Sequence, residues 1–140
     1  GRPVIHVQHV STRAGATFFL PDTGGVRIHD AVQPQAGERV VVKHFPNAFR
    51  ETELQDALRD CGASTLVFAG MMTHMCVDTT VRAAADLGWT CRLAHDACAT
   101  RDLQFGAHRV AAADVQLAYL AALQGAFAAV RPAAELAAEA

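Results

Sequence analysis

The stretch that most constrains the fold runs from Ser64 to Gly88, S-T-L-V-F-A-G-M-M-T-H-M-C-V-D-T-T-V-R-A-A-A-D-L-G. Thr65 to Ala69 is a short apolar run of β-branched and aromatic residues, the pattern of a strand buried on both faces. Gly70 to Met75 is too short for a free loop. Cys76 to Leu87 sets Val77, Val81, Ala84 and Ala85 on a helical stripe, and Gly88 supplies the stop. Strand, sharp turn and helix therefore follow directly, as in an open α/β sheet. Cys76 falls in the first helical turn, where unpaired N–H groups and the helix dipole favour a thiolate. In such sheets this is also the end where ligands bind. A cysteine in an apolar helix is usually inert packing. Cys76 departs from that default because it opens the helix, follows a strand directly and has polar Thr73 and His74 just upstream. None of Cys61, Cys91 and Cys98 combines all three.

The rest of the chain fits the same architecture. Gly1 to Val10 reads as a strand with Pro3 at its opening, and Gly1 as the glycine that ends a preceding helix. Ser11 to Arg39 is a long connection punctuated by Pro21, Gly24, Gly25, Pro34 and Gly37. Loops of that length are usually functional or covering segments; Phe18, Phe19 and Leu20 either line a pocket or anchor the loop. Val40 to Lys43 is a second interior strand, with Lys43 at its C-terminal rim or snorkelling to the surface. Ala48 to Cys61 reads as a helix with Thr52 as a cap and Gly62 as its stop. Thr90 to Ala94 is a further strand, and Ala97 to Gly106 a loop. Arg109 to Val130 is one alanine-rich helix, or a short helix leading into a longer one capped by Asp114. Ala133 to Ala140 is a polar-alanine tail.

Composition removes several function classes. A length of 140 residues suits one domain with a real core. With 51% hydrophobic and 19% charged residues the chain is globular, not disordered. A net charge of -2 and a pI near 6.4 give no electrostatic footprint for nucleic acid. No apolar run approaches the ~18 residues of a membrane span. No secretory pattern opens the sequence, and C-x-x-C pairs are absent. The expectation is a reducing, cytoplasmic compartment with free thiols.

Four segments carry a resemblance: V-V-V-K-H-F-P-N-A-F, the elbow G-M-M-T-H-M-C-V-D-T-T, the following A-A-A-D-L-G, and A-H-D-A-C-A-T after the next strand. Together they resemble the isochorismatase-like cysteine hydrolases, which include nicotinamidases and N-carbamoylsarcosine amidohydrolases. The resemblance runs from Pro3 to about Val130. It implies a doubly wound, Rossmann-like, mostly parallel sheet with helices on both faces, in three layers. It also implies an aspartate–lysine–cysteine triad, with Cys76 as nucleophile and Lys43 holding charge beside it. Met71–Met72 matches a non-proline cis peptide of the family, which would aim the N–H groups of Met72 and Cys76 at one point as an oxyanion hole. Thr73 would steady the turn, and Phe45, Phe49, Met75 and His9 are candidates for the substrate pocket.

One element of the pattern is unmatched. The resemblance places the aspartate at the end of a strand upstream of Val4, whereas Asp22 and Asp30 lie in the long loop and are not candidates. The expectation is an N-terminally incomplete single domain, and a chain that naturally began at Gly1 would be inactive. The implied function is covalent hydrolysis of a small amide-like C–N bond through a thioester. Alternatives are vinyl-ether hydrolysis as in true isochorismatases, which does not rely on the cysteine, a non-catalytic binding or assembly module, and a redox-active thiol. No metal or cofactor is expected: His29-Asp30 alone does not make a zinc site, His6 reads as structural and His74 as variable chemistry. The partners implied are a small-molecule substrate and further copies of the chain in a homo-oligomer.

Overall fold

The structure is a computed structural model that describes residues 2–139; Gly1, read above as a helix end, lies outside them. The chain divides into two compact units, Gly1–Gly62 and Ala63–Ala140.

In the first unit, β1 (Ile5–His9) pairs in parallel with β2 (Arg39–Lys43), in a register running from Ile5↔Arg39 to His9↔Lys43. Alternation along β2 buries Val41 and Lys43 and leaves Val40 and Val42 exposed. Two 3-10 turns, Gly24–Val26 and Asp30–Val32, break up the long connection. Gln8 Nε2 donates to the Val26 carbonyl at 2.6 Å, tying that connection to β1. Helix α1 (Leu54–Asp60) buries Leu54, Ala57 and Leu58, and starts later than the expected Ala48. The cause is local: Glu51 has φ 56, a left-handed conformation that interrupts a right-handed helix. Thr52 does act at its start, its hydroxyl oxygen accepting the Leu54 N–H at 3.3 Å.

In the second unit, β3 (Thr65–Met71), β4 (Thr90–Ala99) and β7 (Ala129–Arg131) form a parallel sheet in the order β3-β4-β7. Helix α2 (Asp78–Asp86) presents Thr80, Val81 and Ala84 to the core, where Val81, Leu93 and Leu123 are fully buried. Each such side chain contributes about 1.5–3 kcal/mol over an exposed one.

Three expectations are corrected here. The segment read as a loop after β4 contains a hairpin, β5 (Leu103–Phe105) and β6 (His108–Val110). Its two-residue turn is Gly106-Ala107, with φ +57 at the glycine, the Gly-X signature of a tight hairpin. The segment read as one helix holds β6, α3 (Ala112–Leu123) and β7, because Gly125 at φ +81 breaks the alanine run. Asp114 lies inside α3 and does not cap it. Asp102 does, accepting the Ala112 N–H at 2.8 Å, while the Arg109 guanidinium and that N–H hold its carboxyl below the usual range. The polar-alanine tail forms α4 (Ala133–Ala138), with Asp96 accepting the Ala133 N–H at 2.7 Å.

Candidate active site

The elbow between β3 and α2 is one wide turn. The Met71–Met72 peptide is cis. Thr73–Val77 then form a π-type turn, in which the Met72 carbonyl accepts the N–H groups of Met75 at 3.0 Å and Val77 at 3.3 Å. Turns of this kind recur at functional sites because they re-aim the side chains they carry. Met72, Thr73, Met75 and Cys76 are thereby gathered into one turn, directly ahead of α2. Cys76 precedes the helix by two residues, and its side chain is half-buried. All four cysteines are thiols, with no disulfide among the described residues.

Two buried side chains lock this turn to the end of β4. Thr73 is fully buried, and its hydroxyl donates to the Ala99 carbonyl at 3.1 Å. His74 Nδ1 lies 2.6 Å from Thr100 Oγ1, and its ring meets Tyr119 edge-on at 6.1 Å. Burial, aided by the charge of Arg101, holds the His74 pKa below its ordinary 6.5. The sequence reading gave His74 as variable chemistry in the elbow; the structure buries it and sets it against Thr100.

Cys91 is buried and Cys98 half-buried. Burial pushes the Cys91 thiol up. Burial also raises Cys98, with Asp96 adding to it, against a hydrogen bond from the Gly70 backbone that pulls the other way. Both are therefore poor nucleophiles. Asp78, two residues after Cys76, is engaged by Arg82, whose Nε donates to its two carboxylate oxygens at 2.9 and 3.1 Å.

The first unit builds a second cluster. Lys43 closes β2 and is 3% exposed. Its ammonium donates to the Phe45 carbonyl at 2.9 Å and lies 2.7 Å from His9 Nδ1. The His9 ring meets Phe19 at a tilt, centroids 5.2 Å apart, and Phe18 meets Phe19 at 5.0 Å. After Phe45 the chain turns on Asn47, whose side chain accepts the Phe49 N–H at 2.9 Å, and the Arg50 guanidinium lies 3.6 Å over the Phe45 ring. Phe45 and Phe49 are half-buried. His29 Nδ1 caps a 3-10 turn by accepting the Ala31 N–H at 3.2 Å. His6 pairs with Glu38 at 2.8 Å.

Lys43 had a further signature in the sequence. It is the only lysine, against eleven arginines. The one cation written as a compact ammonium is also one buried at a strand end, a geometry a planar guanidinium does not reproduce. Lys43 belongs to the first unit and Cys76 to the second.

A model of the isochorismatase domain matches residues 1–134. The chain belongs to the isochorismatase family. It shares the doubly wound α/β fold with a crystal structure from Oleispira antarctica, at 51% identity and a TM-score of 0.92, covering 97% of this chain and 72% of that one. It is 47% identical over 131 residues to the uncharacterised isochorismatase family protein YddQ of Bacillus subtilis, covering 94% of this chain and 73% of YddQ. Streptothricin hydrolase of Streptomyces noursei is 39% identical over 103 residues, covering 74% of this chain and 40% of that protein. Two further matches are an amidohydrolase and a cysteine hydrolase. The ureidoacrylate amidohydrolase RutB of Yersinia enterocolitica is 42% identical over 53 residues, 38% of this chain and 23% of RutB. A structure of a cysteine hydrolase from Pseudomonas syringae matches at 26% identity and a TM-score of 0.88, over 96% of this chain and 70% of that one. The chain is thus an isochorismatase-family hydrolase domain. No helix among the described residues is long and apolar enough to cross a membrane.

Proposed function

We propose that this isochorismatase-family hydrolase cleaves a small amide-like C–N bond through a covalent thioester on Cys76. The observation that carries the reading is the elbow itself: a half-buried thiol in a π-type turn, locked by Thr73 and His74. In the first step the Cys76 thiol gives its proton to a carboxylate, and its sulfur forms a bond to the substrate carbonyl carbon. The carbonyl π pair moves to oxygen, which the N–H groups of Met72 and Cys76 stabilise. Collapse expels the amine, which takes the proton. Water then cleaves the thioester and restores the thiol. Lys43 contributes a fixed positive charge to the anionic intermediates. The carboxylate is the family's strand-end aspartate, a position unmatched within residues 1–140.

That RutB is an amidohydrolase and the Pseudomonas syringae protein a cysteine hydrolase supports C–N cleavage and a cysteine route. Vinyl-ether hydrolysis would leave Cys76 without a task. The family resemblance makes Thr73 and Met75 of the second unit, and His9, Phe45 and Phe49 of the first, the proposed substrate-binding residues. A reducing cytoplasm suits four unbridged thiols. A homo-oligomer suits α3, whose alanine-rich surface leaves Leu117 68% exposed.

The test is Cys76→Ala in the full-length protein, assayed against a panel of small primary amides and ureido acids. The expected result is loss of turnover with an unchanged far-UV spectrum and melting profile. Retained turnover in that variant would remove the covalent mechanism.

A further inference from the structure

His9 and Lys43 are in-register partners of a parallel pair, so their side chains leave the sheet on one face. An ammonium has only donors. At 2.7 Å from Lys43 Nζ, His9 Nδ1 must therefore be the acceptor, and the ring proton must sit on Nε2. The Phe45 carbonyl accepts a second ammonium proton at 2.9 Å. The titratable groups facing His9 are Lys43 from β2 and His44 from the segment after it. Burial first, then those two charges, holds the imidazole pKa below its ordinary 6.5, in agreement with the neutral ring that the geometry requires. On its other side the ring is met by Phe19 at 5.2 Å. Phe19 has φ 56, a conformation rare for a bulky residue, and its carbonyl accepts the Ser11 N–H at 2.8 Å. Backbone outliers held by a hydrogen bond beside a buried charge are characteristic of functional clusters.

We propose that His9 is a positioning residue: a neutral imidazole, backed by Phe19, that orients the Lys43 ammonium through Nδ1. Its catalytic consequence rests on the role given to Lys43 above; the clamp itself does not.

Because Lys43 is the sole lysine of these 140 residues, lysine-selective 15N labelling reports its ammonium protons directly. Histidine 15N shifts report the His9 tautomer. At pH 7 the wild type is expected to show His9 with a bare Nδ1 and a protonated Nε2, together with slowly exchanging Lys43 ammonium protons. His9→Leu should lose the slow exchange, and His9→Asn, whose amide oxygen reaches the Nδ1 position, should restore it. Turnover should follow: kcat lower by about ten- to a hundredfold in His9→Leu, the worth of one hydrogen bond to a charged group, with KM within about threefold and activity recovered in His9→Asn. An imidazolium or a protonated Nδ1 in the wild type would overturn the proposal even if no variant folds, as would lysine signals indifferent to His9→Leu. Lysine signals that follow the variants while turnover does not would support the clamp and overturn the catalytic role of Lys43.

Discussion

Replacing Thr73 by valine tests whether one hydroxyl holds the elbow. Thr73 is fully buried, and its hydroxyl donates to the Ala99 carbonyl at 3.1 Å, bridging the π-type turn to the end of β4. Valine keeps the shape and removes the donor. A lost neutral hydrogen bond costs about 0.5–1.5 kcal/mol, rising to about 3 kcal/mol where the abandoned acceptor stays dry. Ala99 is itself an exposed residue, which favours the lower half of that range. The expected loss is about 0.5–1.5 kcal/mol, or about 2–6 °C in Tm for a chain of this size. Thr73→Ser keeps the donor and deletes one methyl, at about 1 kcal/mol. The two variants thus lose similar stability by different routes, and Cys76 separates them. Its alkylation by iodoacetamide, followed residue by residue by mass spectrometry, should keep the wild-type rate in the serine variant. In the valine variant it should change severalfold, because the turn that presents the sulfur is released. A valine variant with wild-type stability and a Cys76 rate within twofold of wild type would refute the claim that this bond sets the elbow.

Further outcomes follow from neighbouring groups. Lys43→Arg retains the charge, but its planar fork does not fit between His9 Nδ1 and the Phe45 carbonyl, so kcat should fall by about a hundredfold or more; wild-type kinetics would show that charge alone suffices. His74 has a folded-state pKa below 6.5, so the unfolded chain binds its proton first. That contribution to stability is complete above about pH 6.5 and is lost as pH falls toward the folded value; His74→Asn should flatten this part of a Tm-against-pH curve, and an unchanged curve would contradict the assignment. Leu93 is fully buried in β4, and Leu93→Ala should cost about 2–5 kcal/mol by chemical denaturation; a loss below about 1 kcal/mol would show that the site collapses around the gap.

The parts of the molecule legible in its sequence are those where local pattern and tertiary role agree. Thr65 to Gly88 announces itself because a β-branched run, a glycine and a helical stripe follow one another without interruption. Lys43 is visible because a charge ends an otherwise apolar strand. The C-terminal third was not legible, since an alanine-rich segment carries almost no periodicity to separate helix from strand. There β7 exists because Arg92, Leu93 and Ala94 offer Ala129, Val130 and Arg131 an edge, not because A-V-R favours extension. The caps of α3 and α4 come from Asp102 and Asp96, far back in the chain, so no local scan finds them. The partners of His9 and Thr73 lie 34 and 26 residues away, and only the fold reveals that they are held.

The most direct measurement of the central claim is acid-quench mass spectrometry of the full-length protein during turnover of an amide substrate. An acyl group on Cys76, appearing before steady state and absent in Cys76→Ala, is the predicted result. Steady turnover with no adduct on Cys76, or with an adduct on Cys61 instead, would contradict it.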